Sequence, residues 1–225
     1  MTLIESLKKA ASRLNMTLPG LLFRISARSL LMLPGLIKGS LPFMLKLKIT
    51  PLAALHTIIK KRLCPDAARD ITGEVLYAAA AMFTRKSFRT VGHDTPIPDI
   101  LHLYDKAFQG PGKHQKVKFE KRMKDGFRFA ITDCMHVRVL EHFGLGDIAF
   151  NMCDADRSFW EHTLCSSRTL FSKDKNTIAR GGQQCSVEFS TEKPEVALHQ
   201  YSCPQEELQD NTALGKQTKE PIRSK

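Results

Sequence analysis

The segments FRFAITDCMH (127–136), CDAD (153–156) and IARGGQQCSVEF (178–189) contain three of the six cysteines of this 225-residue chain, each close to acidic residues or to a glycine pair. In the first segment, phenylalanine and isoleucine alternate with arginine, alanine and threonine, which is the period of a half-buried strand. Cys134 lies where this predicted strand ends. We therefore expect the chemistry of the protein in this region.

Helical and strand patterns continue on both sides of this strand. After it, the pattern predicts helices and then strands, over residues 137–143, 147–162, 167–172 and 185–190, the two strands being joined by a turn. Before it, four helices are predicted, over residues 3–14, 51–63, 66–90 and 99–108. The basic run at 113–124 is interpreted as a solvated loop or helix face. Together these elements predict an α+β fold, with helices packed on a small antiparallel sheet.

The net positive charge is concentrated in the N-terminal 62 residues. Residues 1–62 hold eleven lysines and arginines against one acid, which is +10 (11 − 1) of the formal net charge of +11. The leucine-rich part of this segment, 17–49, has a composition that suits peripheral contact with an anionic membrane. The alternative is a set of short core-packing helices, broken by prolines and glycines, with a solvated basic face. We expect this basic helical segment (1–62), an α+β domain (63–190) and a disordered tail (191–225).

The sequence favours a cytoplasmic protein with free thiols. The first apolar stretch is interrupted by Lys8, Lys9 and Arg13, and no apolar run approaches the roughly 18 residues that span a bilayer. Without a secretory signal, six irregularly spaced cysteines predict thiols rather than a disulfide framework. A nucleic-acid partner is not expected, because the basic half lacks interleaved aromatic residues and the spacing of helix-turn-helix or zinc-finger motifs.

In order and spacing, these elements resemble the family of L-2-amino-thiazoline-4-carboxylic acid hydrolases. The resemblance rests on a strand ending in Cys134, a following helix, the CDAD segment, a further strand, and a glycine turn that leads into CSVEF at 185–189. It covers the C-terminal half of the ordered chain well and 50–104 loosely, and the basic segment 1–62 has no clear match. It implies a hydrolase-like domain at 63–190 that opens a small cyclic C–N substrate of the aminothiazoline carboxylate type.

The family's reaction implies a group of catalytic side chains. A nucleophile adds at the carbon between the ring sulfur and nitrogen, and the tetrahedral adduct expels the thiolate, which requires a nucleophile and an acid-base group. Cys153 is the first candidate nucleophile, because it lies near the start of a predicted helix, where the helix dipole lowers the pKa of a thiol. Asp154 and Asp156 are candidates for the base and the orienting acid. Cys134 and Cys185 are the further catalytic candidates.

The substrate carboxylate requires donors. Arg168 or Arg180 has the guanidinium geometry that suits a carboxylate. The Gly181-Gly182 turn brings backbone N–H groups close to a ligand, or it is only a hairpin turn. His136 is an additional proton shuttle, provided that it faces the same cleft; the resemblance does not extend to this histidine.

Structural roles and a metal site are the alternatives for these residues. Free cysteines are commonly small core residues, and the aspartates are also suited to capping a helix or pairing with arginine. Cys134, Cys153 and Cys185, with an aspartate or His136, would make a thiolate-rich zinc site, but no CxxC or HExxH spacing supports it, so no cofactor is expected. Three other cysteines are interpreted as incidental: Cys64, Cys165 and Cys203.

Two functions from different classes follow from this sequence. The first is an intracellular hydrolase of a small cyclic substrate that uses thiol or activated-water attack. The second is a non-catalytic module of the same fold that binds or senses a small molecule, lodged at a membrane surface by its basic N-terminal segment. A fold hosts binding and catalysis alike, so analogy does not choose between them.

Overall fold

The computed structural model describes residues 2–36, 41–109, 114–123, 125–164 and 168–191. Within these ranges the helices are α1 (Leu3–Arg13), α2 (Leu18–Leu36), α3 (Phe43–Lys60), α4 (Pro65–Ser87), α5 (Ile97–Gln109), α6 (Met135–His142) and α7 (Phe150–Thr163). The strands are β1 (Gln115–Met123), β2 (Gly126–Cys134), β3 (Thr169–Lys173) and β4 (Cys185–Thr191). The α+β prediction is confirmed. Residues 192–225 of the predicted tail, Cys165 and Cys203 lie outside the described residues.

The four strands form one antiparallel sheet in the order β1-β2-β4-β3. Its register aligns Phe127, Phe189 and Phe171 on neighbouring strands. Trp160 of α7 is fully buried against this row, with its ring centroid 4.9 Å from that of Phe189. Aromatic packing of this kind fixes α7 to the sheet.

The helix α7 runs along β4 in the same chain direction. Trp160 lies seven residues after Cys153, about 10.5 Å along a helix, and Phe189 lies four residues after Cys185, about 13 Å along a strand. Trp160 contacts Phe189, and Lys173, which pairs with Val187 near the start of β4, contacts the backbone oxygen of Cys153, so the start of α7 lies at the end of the sheet where β4 begins. The fold therefore brings Cys153 to Cys185, although the two are 32 residues apart (185 − 153).

Two groups of buried apolar residues fill the interior. The sheet cluster is built on the aromatic row and includes Leu140 and Trp160; the N-terminal cluster joins α1 and α2 to α3 and α4, and includes Leu55. The helix α3 contributes to both, since Ala53 belongs to the first cluster and Leu55 to the second. The N-terminal helices are thus packed onto the elements that carry the sheet.

Two local predictions differ from the structure. Residues 115–123 of the basic run form the edge strand β1, in which half-buried Val117 and Phe119 alternate with charged side chains; abundant lysine is typical of an exposed sheet edge. The interval 17–49 is less broken than predicted. Pro19 and Gly20 fall in the first turn of α2, where backbone N–H groups have no helical partner, and α3 continues through Pro51.

No single helix among the described residues is long and apolar enough to cross a membrane. The pair Leu3–Arg13 and Leu18–Pro34, bent by 94°, meets the requirements of length and composition only when taken together.

Candidate active site around Cys153

Cys153 lies at the fourth position of α7, in the first turn, and is half-buried. A 3-10 turn at Gly146–Ile148 precedes the helix, so the predicted helix 147–162 begins a few residues later than expected. The unpaired N–H groups of a first helical turn carry partial positive charge, which favours a thiolate over a thiol. The helix start therefore places Cys153 in a position that favours its anionic form.

A second thiol stabilises this anion. Cys185 donates a hydrogen bond to the Cys153 sulfur, and this bond is the largest of the effects that lower the pKa of Cys153 to about 6. The positive charge of Lys173 and the Thr177 hydroxyl act in the same direction, whereas burial and the charge of Asp156 oppose them. The same hydrogen bond strongly raises the pKa of Cys185. The shared hydrogen bond therefore favours the negative charge on Cys153 and the proton on Cys185.

Lys173 is the main functional candidate that the sequence analysis missed. Its side chain is only 5% exposed, and its Nζ lies 2.7 Å from Asp156 Oδ2 and 3.3 Å from the backbone oxygen of Cys153. Burial acts to lower the pKa of Lys173, but the charges of Asp156 and Cys153 outweigh it and raise the pKa above its ordinary value. The cluster therefore contains a buried ammonium group beside the thiolate.

The period of β3 contains a signal for Lys173. Alternate residues of a strand point to the same face, so Lys173 shares a face with buried Phe171. A lysine on the core face at the end of a strand is rarely buried without a charged partner. The predicted strand, 167–172, ended one residue before Lys173, so this signal appears only when the strand is extended to its observed end.

The segment between β3 and β4 covers the two sulfur atoms. The backbone N–H of Ile178 donates to Cys185 Sγ at 3.2 Å. Thr177 is fully buried, and its hydroxyl has no hydrogen-bond partner of ordinary geometry within the described part of the chain. A buried hydroxyl without a partner is costly, and the interaction available to this one is with the Cys153 sulfur, whose pKa it helps to lower.

The glycine pair shapes this segment. Gly181 has a φ of +84°, which favours glycine, and a Cβ at Gly182 would lie 2.3 Å from the backbone oxygen of Asn176. The N–H of Gly181 donates to Ile178, and the N–H of Gly182 donates to Thr177, so both donors serve the turn itself. The structure gives the pair a role in building the cover over the thiols.

Asp154 faces two arginines on the outer side of the cluster. Arg180 Nη2 lies 2.7 Å from Asp154 Oδ2, and Arg157 Nη1 lies 3.6 Å from Asp154 Oδ1. The guanidinium of Arg180 also lies over the ring of Phe150, with its Cζ 4.4 Å from the ring centroid. Asp154 Oδ1 is buried and, within the described residues, accepts no hydrogen bond of ordinary geometry. This side of the cluster offers both a cation and a buried carboxylate oxygen whose one described contact is the long ion pair with Arg157.

The other candidates have different surroundings. Arg168 is exposed and precedes β3, about 16 Å of strand away from Lys173. His136 is on α6, with its ring centroid 5.8 Å from that of His114, and burial is the first cause that lowers its pKa to about 4. Cys134 is buried at the end of β2, and its pKa is raised first by burial and further by the charge of Cys153. The structure thus assembles Cys153 and Cys185 with both aspartates and Arg180, and leaves Cys134 as a neutral thiol.

The described residues contain no group of three or more His, Cys, Asp or Glu side chains arranged to hold a metal ion. A surface depression lined by His93, Asp99 and His102 shares no residue with the Cys153 cluster.

The architecture and the cluster define an α+β protein with a thiolate-forming cysteine at the end of its sheet. The family model of L-2-amino-thiazoline-4-carboxylic acid hydrolase matches residues 43–189, and the chain belongs to this family. The matched range extends from the start of α3 into β4 and contains the whole cluster. The resemblance found in the sequence is confirmed.

Comparisons with individual proteins add little to this. No curated protein matches the chain significantly. Among solved structures, the chain is similar to the Fe(II) unliganded form of an H-NOX protein mutant from K. algicida, at 14% identity, over 70% of this chain and 77% of that one. The TM-score of 0.31 is too low for any argument about this protein.

Proposed function

We propose that this protein hydrolyses a small cyclic substrate of the aminothiazoline carboxylate class, and that the Cys153 thiolate is the nucleophile. The observation that carries the proposal is the arrangement around Cys153, where a neutral thiol donates to the sulfur and a buried ammonium lies beside it. Membership of the family supports the substrate class. A nucleophilic cysteine requires a lowered pKa of this kind.

The first chemical step forms one bond and breaks one. The Cys153 sulfur attacks the ring carbon between the ring sulfur and nitrogen, and the C–S bond of the ring then breaks, so that the substrate's own sulfur leaves as a thiolate. Lys173 supplies the positive charge that stabilises the developing anion. The product of this step is an isothiourea that links Cys153 to the opened substrate.

The second step restores the enzyme. Water adds to the isothiourea carbon, the Cys153 sulfur leaves as the thiolate, and the substrate carbon retains the oxygen as a carbamoyl group. One proton of the water ends on a nitrogen of the former amidine, and the other ends on the released substrate thiol. The Cys185 thiol facilitates departure of Cys153, because its hydrogen bond stabilises the thiolate form.

The outer side of the cluster supports the orientation of the substrate. An amidine-type ring donates N–H groups, and Asp154 Oδ1 is a buried acceptor that lacks a hydrogen bond of ordinary geometry within the described residues. Arg180 is 40% exposed at its side chain and suits the substrate carboxylate. We assign Asp154 to the amidine and Arg180 to the carboxylate.

The direct test is hydrolysis of L-2-amino-thiazoline-4-carboxylate by the purified full chain, followed as thiol release above the protein's own thiol content. Cys153→Ala removes the nucleophile, and Cys64→Ala is the matched control, because Cys64 is an exposed free cysteine outside the cluster. We expect a loss of at least about a thousandfold in kcat/KM for Cys153→Ala and none for the control. A chelator-treated sample tests for a metal.

Two results would contradict the proposal. Full activity of Cys153→Ala would show that Cys153 is not the nucleophile. Binding of the compound by the wild type without thiol release would favour a module that binds or senses a small molecule.

A further inference from the structure

The helix α2 presents apolar side chains to solvent. Leu22, Phe23, Leu30 and Leu31 are 43%, 75%, 65% and 73% exposed. They occupy one side of the helix, since residues at 22, 23, 30 and 31 recur at the helical period, while the opposite side is buried against the protein through residues such as Leu21. The side of the helix that is usually charged on a surface helix is therefore apolar here.

The start of α3, a helix that packs on α2, also presents apolar side chains to solvent. Phe43, Met44 and Leu47 are 47%, 59% and 36% exposed, and α3 packs against α2. We call the exposed apolar residues of the two helices the α2–α3 patch. An exposed group of this size on a monomer marks an interaction site more often than a chance surface.

The charges around the patch have a single sign. Neither α2 nor α3 contains an aspartate or glutamate, and Arg24 and Lys48 are exposed on these two helices. The patch lies in the segment that accounts for most of the net charge of the protein, because residues 1–62 carry +10 of the net +11. Exposed apolar side chains on two helices that contain basic but no acidic residues match the boundary between acyl chains and anionic head groups.

We propose that the α2–α3 patch docks on the surface of an anionic lipid bilayer. Phe23, Leu30 and Leu31 insert at the acyl boundary, while Arg24 and Lys48 contact lipid phosphates. A second copy of the chain fits less well, since a two-fold contact places the same basic residues of both copies together. The proposal does not depend on the hydrolase reaction.

Co-sedimentation of the full chain with vesicles tests this proposal. The vesicles contain phosphatidylcholine alone or phosphatidylcholine with about 30% phosphatidylserine. We expect binding to the anionic vesicles that weakens at high salt, and much weaker binding to the neutral ones. Phe23→Ser combined with Leu31→Ser lowers the affinity at least about tenfold, and Arg24→Gln lowers it about fivefold.

Met82→Ser combined with Phe83→Ser is the matched control. These two apolar side chains on α4 are 55% and 64% exposed and lie outside the patch. We expect this variant to bind vesicles like the wild type, and circular dichroism verifies that every variant is folded. Absence of wild-type binding, equal binding to neutral vesicles, or an equal loss in the control variant would overturn the proposal. The proposal would also be overturned if the protein did not bind vesicles and instead formed a dimer that depends on Phe23 and Leu31.

Discussion

The ionisation of Cys153 depends on individual neighbouring side chains, so the effect of each neighbour can be measured by substitution. Because the pKa of Cys153 is lowered to about 6, the thiolate is present above this pH and is lost as the pH falls through it. The rate of alkylation by iodoacetamide at Cys153, followed by mass spectrometry, should therefore rise with an apparent pKa near 6. In Cys185→Ala the largest stabilising effect is removed, and we expect the curve to move to higher pH. An unchanged curve would show that Cys185 does not donate to the Cys153 sulfur.

The ion pair between Lys173 and Asp156 contributes both to stability and to the ionisation of Cys153. Lys173→Met leaves Asp156 without its partner, so we expect the free energy of unfolding to fall by about 3 kcal/mol, as for other broken buried pairs. The double variant Lys173→Met with Asp156→Asn should recover most of this stability in urea denaturation, because no unpaired charge remains. The apparent pKa of its alkylation should still be higher than that of the wild type, since the positive charge beside Cys153 is absent. Recovery of both properties would mean that Lys173 has only a structural role.

The segment between β3 and β4 works as one element, and its conformation depends on Gly182. In Gly182→Ala the new Cβ would lie 2.3 Å from a backbone oxygen, which cannot move as a flexible side chain can. We expect the turn to shift, the bond from Ile178 to Cys185 to weaken, and kcat/KM for the proposed substrate to fall at least about tenfold. Gly92→Ala is the control, because a Cβ there meets no atom within 4 Å. Equal activity of the two variants would contradict this role of the turn.

Secondary-structure elements could be predicted from the sequence where the alternation of apolar and polar residues is clear. The strands β2 and β4 alternate clearly and were predicted, whereas β1 was missed because Lys116, Lys118 and Glu120 obscure the alternation of Val117 and Phe119.

The site is harder to predict, because it depends on how elements pack. The order of the motifs shared with the family made Cys153 and Cys185 candidates. Their contact, however, requires α7 to run along β4. Thr177 carries no sequence signal, since its burial results from the turn that Gly182 permits.

The whole molecule contains two apolar clusters that share α3, which predicts a single cooperative unfolding unit. The division between residues 62 and 63 into two domains remains a prediction from the sequence.

The chain has one tryptophan, Trp160, fully buried in the sheet cluster, so its fluorescence reports that cluster alone. Leu55→Ala alters the other cluster, where Leu55 is 1% exposed, and should lower the free energy of unfolding by about 3 kcal/mol. If α3 couples the clusters, urea transitions followed by Trp160 fluorescence and by circular dichroism should shift together. Leu140→Ala, in the sheet cluster, provides the matched comparison. A fluorescence transition unaffected by Leu55→Ala would show instead that the N-terminal helices unfold independently of the candidate active site.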